Sequence, residues 1–246
     1  MNGNKQFTPN EQTLISLNQI ITNQRGEMTV KKIYKKIEME EMMKILQEKR
    51  KDIISGTSQQ IQNKQQSNKS NQSETKERKE RKEIQITNQK ETKQTNCGIP
   101  FFWIKILYSL GIFMTYSQSE EDIICLSYLN DIRYRTLPPA FNSETQTIKM
   151  KKELTFCFDE NVYIKNKELT VVLSYKSNEC GDVIENTGRL IPKTKIQWGV
   201  DLIEINPNSL FNIFLPNNDH EIEDFIVIES TFHNFDKKVM NYFYEF

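Results

Sequence analysis

Glycine is scarce in this chain. There are eight in 246 residues, and no run of them spells GxGxxG or GxxxxGK[ST]. A phosphate cradle needs closely spaced glycines so that backbone N–H groups can approach the anion, so nucleotide binding of that kind is not expected. Histidine is scarcer still. His220 and His233 stand 13 positions apart, on opposite sides of any helix they share, and no cysteine pair accompanies them. That pattern does not suit a metal site. The four cysteines, Cys97, Cys125, Cys157 and Cys180, include no CxxC pair. They read as reduced thiols of an intracellular protein, packed as small hydrophobes, and give a Cys–His hydrolase no support. The opening residues Met1 to Pro9 hold no apolar stretch, so no secretory leader is expected. Asp159-Glu160 could serve acid–base chemistry, but a hairpin turn explains the pair more simply. No enzyme activity, cofactor or metal is expected.

Long apolar runs are also missing, with one candidate exception at Ile99–Tyr116. Pro100, Lys105, Ser109, Gly111 and Thr115 interrupt it, and Lys105 would sit away from either membrane interface. A buried helix followed by a turn at Ser109–Gly111 is expected there, and no membrane span.

Charge is balanced overall, with 33 Lys/Arg and 33 Asp/Glu, but unevenly placed. Residues 1–96 carry 19 basic against 12 acidic side chains, residues 97–200 carry 12 of each, and residues 201–246 carry two basic against nine acidic. A basic front and an acidic back point to charged partners or to association between the two.

No proline occurs between Pro9 and Pro100. Leu14, Leu17, Ile20, Ile21, Val30, Ile33, Tyr34, Ile37, Met42, Ile45, Leu46, Ile53 and Ile54 recur in steps of three and four, so residues 10–60 read as an amphipathic helical segment. Gly26 marks the place where two helices would meet or one would kink; the spacing leaves both open. Gly56 is the expected C-terminal stop. Periodicity alone also leaves open whether the apolar stripe lies on its own domain or on a second copy of the chain. Residues 61–96 are low in complexity, too poor in apolar side chains to offset ordering entropy, and read as a disordered linker, as do residues 1–9. Within the linker, Lys76–Lys82 is basic but interleaved with acid.

From residue 97 to 246 the texture is that of one folded domain. Helices are expected at 99–109 and 119–130, the second capped by Ser119 with Glu120, Glu121 and Asp122 in its first turn. Strands are expected at 131–137, ended by Pro138-Pro139, at 147–158, at 168–176 and at Lys195–Trp198. Helical pattern returns at Ser209–Leu215, about 219–234 and 236–244. The fold class is α+β: a long N-terminal helix and a four-stranded antiparallel sheet flanked by helices.

The second half also carries, in order, Gly98-Ile99-Pro100-Phe101-Phe102-Trp103, Leu129-Asn130-Asp131-Ile132-Arg133, Phe158-Asp159-Glu160-Asn161 with Asn166-Lys167 and Leu169-Thr170, Ile196-Gln197-Trp198, Ser209-Leu210-Phe211-Asn212-Ile213-Phe214, and Tyr242-Phe243. In this order and at these distances they resemble the nucleosome assembly protein family, the SET/nucleosome-assembly histone chaperones. A weaker likeness at Gln47–Arg50 and Asp52-Ile53-Ile54 looks like the end of that family's dimerisation helix.

The resemblance implies a homodimer built on the helix as a coiled coil, with Ile33, Ile37, Met42, Ile45, Leu46 and Ile53 at the interface. It implies an acidic concave surface that binds core histones and assists nucleosome assembly, in the nucleus with or without shuttling to the cytoplasm. By position, Asp219, Glu221, Glu223, Asp224 and Glu229 are the candidate histone-binding acids, with helix capping and solubility as their alternative role. Sequence-specific nucleic-acid binding is not implied. The chain departs from the family where it ends at Phe246 after a single Glu245 instead of a long acidic tail, where residues 57–96 are neutral to basic, and where little room is left for an accessory hairpin between Trp198 and Ser209. Those departures keep a second reading open: a dimeric adaptor of the same fold with a non-histone basic partner.

Overall fold

In the computed structural model, residues 8–56, 99, 101–116, 118–199, 208–215 and 222–244 are described. They fall into two compact units, Met1–Lys44 with Trp103–Phe246, and Ile45–Phe102. The linker 61–96 with its Lys76–Lys82 patch, and residues 1–7, lie outside the described residues.

Helix α1 runs from Pro9 to Ser55. Thr8 and Glu11 open it with a reciprocal cap: the Thr8 N–H donates to Glu11 Oε2 at 2.7 Å, and the Glu11 N–H donates to Thr8 Oγ1 at 3.4 Å. Pro9, which has no N–H to lose, takes the first helical position. The helix stops at Gly56, whose φ of 75° suits a residue without Cβ and whose N–H donates to Ile53 O at 3.1 Å. Gly26 breaks nothing; one helix passes through it. A Cβ at Gly26 would overlap the Phe141 ring, so the glycine serves close approach of the helix to the sheet.

Gly26, Thr29, Ile33, Ile37 and Glu40 share one face of α1, and all are buried or half-buried. Thr29 Oγ1 donates to Glu179 O at 2.6 Å. Glu40 accepts from the Thr136 backbone N–H at 2.8 Å and from its hydroxyl at 2.9 Å. The opposite face presents Leu14, Leu17, Ile21, Met28, Met39, Met42 and Leu46 to solvent. In the second unit, Ile54 is buried and its carbonyl accepts from the Ile99 N–H at 2.9 Å.

The sheet comprises β1 (Leu129–Asn142), β2 (Thr147–Phe158), β3 (Glu168–Ser177) and β4 (Arg189–Pro192), antiparallel throughout and in sequence order. Two expectations are corrected here. Pro138-Pro139 does not end β1: the strand passes through the pair with a register shift between Leu137 and Ala140. Prolines are tolerated there because β1 is an edge strand and a bulge leaves their missing donors unneeded. The fourth strand is Arg189–Pro192, not Lys195–Trp198, which pairs with the β2–β3 connection through an isolated bridge between Trp198 and Ile164 and through hydrogen bonds of Gln197 to Lys165 and Asn166. Leu190 is the buried residue that sets β4, opposite Leu173.

Glu40 occupies an outward-facing N–H of edge strand β1, a position otherwise open to pairing with another chain. Glu40→Ala is expected to cost about 1–2 kcal/mol, since Thr136 loses a charge-assisted partner. Faster amide exchange at Thr136 with an otherwise native spectrum would confirm it; unchanged protection would refute it.

Among the described residues the helical elements after α1 are α2 (Phe102–Ser109), α3 (Ile112–Thr115), α4 (Glu120–Ser127), a 3-10 turn (Leu210–Phe214), α5 (Ile222–Phe232) and α6 (Phe235–Tyr244). The inward side chains Phe156 and Tyr175 of the sheet pack on the 3-10 turn and α5 through Phe214, Phe232 and Phe225. The apolar run 99–116 is thus split by a turn at Leu110-Gly111, and no helix among the described residues is long and apolar enough to cross a membrane. The core is an aromatic stack. Phe156 meets Phe214 edge-on at 5.3 Å and lies 6.4 Å from Phe232, which leads through Phe235 at 5.2 Å to Trp103 at 6.1 Å.

Candidate functional site

The acids of the helical side divide by what holds them. At α4, Ser119 Oγ accepts the Asp122 N–H at 3.2 Å and Asp122 returns the bond to the Ser119 N–H at 3.1 Å. Asp122 also accepts from the Ser209 hydroxyl at 2.9 Å and is buried, so it ties α4 to the 3-10 turn. Its neighbours Glu120 and Glu121 face solvent. The Glu121 carboxyl is held below the usual range by its own backbone N–H and by the Ser119 hydroxyl, so it stays charged at neutral pH.

On α5, Glu223 is exposed and Asp224 half-buried. Asp224 accepts from the Tyr116 hydroxyl at 2.9 Å. Burial, then the nearby Asp224 charge, push the Tyr116 phenol far above its ordinary value, so it remains a donor. Tyr116 stands three residues before the Ser119 cap, so this bond ties the segment ahead of α4 to the first turn of α5. Glu120 and Glu121 stand in the first turn of α4 and Glu223 in the first turn of α5, where helix dipoles favour negative charge. Sequence reasoning saw Glu120 and Glu121 only as first-turn acids; the missing signal was tertiary, a buried tyrosine in the segment ahead of them. Asp219 and Glu221 lie outside the described residues.

Glu229 has a different setting. It accepts from Lys152 Nζ of β2 and from the Tyr134 hydroxyl of β1, with His233 Nδ1 3.6 Å away. Lys152 is almost fully buried, with its Nζ 5.6 Å from the Tyr134 ring and 5.8 Å from the Tyr175 ring. Burial first and Glu229 second raise the phenols of Tyr134 and Tyr175. Glu229 is therefore an anchor of α5 on the sheet.

The candidate dimer residues also separate. Ile33 and Ile37 are half-buried on the face of α1 that carries Gly26, Thr29 and Glu40. Met42, Ile45, Leu46 and Ile53 are exposed by 69, 64, 53 and 59%. Cys125 and Cys157 are buried and Cys180 is exposed, while Cys97 and His220 lie outside the described residues. Among the described residues no group of His, Cys, Asp and Glu is placed to hold a metal.

A long helix with an apolar row open to solvent and a four-stranded antiparallel sheet with flanking helices make this an α+β fold. The family model for nucleosome assembly proteins matches residues 12–202, and the chain belongs to that family. Membership carries nucleosome assembly and histone-chaperone work as its general role. Among solved structures the chain is similar to a malaria-parasite nucleosome assembly protein, at 16% identity over 93% of this chain and 89% of that one, with a TM-score of 0.47. It is also similar to Ccp1 (18% identity, 94% and 93% covered, TM-score 0.47) and to nucleosome assembly protein S of Plasmodium falciparum (16%, 84% and 82%, TM-score 0.39). The chain matches no curated protein sequence.

Proposed function

We propose that this chain is a dimeric, nuclear histone chaperone that binds core histones by charge and performs no catalysis. The observation that carries the reading is the family match over residues 12–202. The nine acids against two bases in residues 201–246 support its chemistry. A histone presents dense lysine and arginine; a gathered acidic surface neutralises it, speeds encounter and competes with DNA phosphate for the same charges.

The binding acids are Glu120, Glu121 and Glu223, with Asp219 and Glu221 beside them in sequence. Asp224 and Glu229, spoken for by Tyr116 and Lys152, hold the surface in place. The triple variant Asp219→Lys, Glu221→Lys, Glu223→Lys is expected to weaken capture of histones at physiological ionic strength at least tenfold, with the circular dichroism spectrum unchanged. In the unsubstituted protein, affinity is expected to fall as salt rises. Unchanged affinity in the folded variant would remove this site.

The second reading, a dimeric adaptor with a non-histone basic partner, draws on the sequence's departures from the family pattern, a single Glu245 in place of a long acidic tail above all. A well-folded dimer that fails to capture histones would favour it.

A further inference from the structure

We propose that the outer face of the sheet, opposite the helices, is a binding surface for the phosphate backbone of duplex nucleic acid. Side chains alternate along a strand, so the row Met150, Lys152, Leu154, Phe156 points to the helices and Lys149, Lys151, Glu153, Thr155 and Cys157 point away. Among the described residues, the acids that the strands place on that outer face are engaged. Glu153 is nearly buried beneath Arg135 at 2.7 Å and Lys193 at 3.1 Å. Arg133 pairs with Glu168, and its other near acid, Asp131, is buried at 3.8 Å.

Four cations on this face have no partner acid among the described residues: Lys149, Lys151, Lys176 and Arg189. They are contiguous. Lys149 stands directly opposite Lys176, and Lys151 and Arg189 flank Ser174 in one cross-strand row. Like charges in register repel, so the fold maintains here an arrangement that a polyanion would relieve. Glu144, on the β1–β2 turn, lines the same hollow as Lys149 and Lys176 yet pairs with neither.

The character of the face selects the partner. Cations two residues apart on a strand repeat about every 6.7 Å, and neighbouring strands lie about 4.8 Å apart. A single carboxylate would use two of the four, whereas a continuous phosphate backbone can engage all of them. The half-buried hydroxyls of Thr170 and Ser174 share the face and can donate to phosphate oxygens, while Thr155 is buried against Thr170. No outward-pointing position of the four strands is aromatic, so there is no platform on which unpaired bases could stack. The surface therefore suits duplex, read by charge and not by sequence. It lies on the opposite side of the sheet from the helices, so duplex and histone need not compete for one surface. The inference does not depend on histone binding.

The test is fluorescence anisotropy of a labelled 20-base-pair DNA duplex of arbitrary sequence with the full chain. Four phosphate contacts would weaken binding roughly 100-fold between 50 and 200 mM salt. Lys149→Gln with Lys176→Gln is expected to weaken binding at least tenfold and to reduce the salt slope by about two. Lys149→Arg with Lys176→Arg, which keeps the charge, is expected to retain it. The basic front of the chain is controlled by Lys79→Gln with Lys82→Gln. The proposal is overturned if the Gln pair on the sheet binds as tightly as the unsubstituted protein, if loss is confined to the Lys79/Lys82 variant, or if poly-glutamate displaces the duplex at lower charge concentration. Histone capture by the sheet variants is measured alongside and is expected to be unchanged, so failure of one assignment is distinguishable from failure of the other.

Discussion

Glu229→Ala is expected to destabilise the domain by about 3–5 kcal/mol, because it leaves the Lys152 ammonium inside the protein without a counter-ion. The Lys152 and Glu229 side chains are only 8 and 16% exposed, and the pair links β2 to α5. With the carboxylate gone, Lys152 retains the faces of Tyr134 and Tyr175, worth about 0.5–2 kcal/mol together with what solvation it recovers. The Tyr134 hydroxyl loses its acceptor at the same time. At about 2–4 °C per kcal/mol for a domain of this size, the thermal midpoint should fall by roughly 10 °C. Two controls isolate the cause. Glu223→Ala, exposed on the same helix, should change stability by no more than about 0.5 kcal/mol. Adding Lys152→Met to Glu229→Ala should restore most of the loss, since a buried pair replaced whole is often near neutral. Equal midpoints for Glu229→Ala and Glu223→Ala would show that the pair anchors nothing. The consequence for function is practical: histone capture lost on reversing Glu229 would report unfolding, so Glu223 is the α5 residue on which to test binding.

The contrast between these two glutamates shows how far the sequence was legible. Local chemistry was readable. Gly56 stops α1, the Ser119 cap starts α4, and period-two rows mark β2 and β3. Each of those signals lies within a few residues of the feature it specifies. What escaped depends on partners far along the chain. Pro138-Pro139 read as a terminator because nothing nearby says that β1 is an edge strand with a bulge. The fourth strand was expected at Lys195–Trp198 and lies at Arg189–Pro192, and Gly26 left a kink or a break open because Phe141, its reason, is over a hundred residues away. One signal for Glu229 was present. Lys152 sits in the inward row between Met150 and Leu154, and a lysine there requires a buried acid; which acid only the fold could say.

Met42→Asp with Leu46→Asp is expected to turn a dimer into a monomer while leaving the sheet domain folded. The row Leu14, Leu17, Ile21, Met28, Met39, Met42 and Leu46 recurs at helical spacing along α1 and faces solvent, an arrangement a single chain gains nothing by displaying. The opposite face is already used, through Gly26 against Phe141, Thr29 on Glu179 and Glu40 on Thr136. Substitutions on the outward row therefore leave the helix's own attachment to the domain intact. In a symmetric dimer two substitutions place four carboxylates at the seam. At about 3 kcal/mol for each one buried unpaired, even two weaken association on the order of 10⁴-fold. Light scattering near 10 μM is expected to give twice the 29.1 kDa chain mass for the unsubstituted protein and the single mass for the variant, with matching near-ultraviolet spectra. A variant that keeps the double mass would move the interface off this row. An unsubstituted chain already at the single mass would end the dimer reading and leave the apolar row to a different partner.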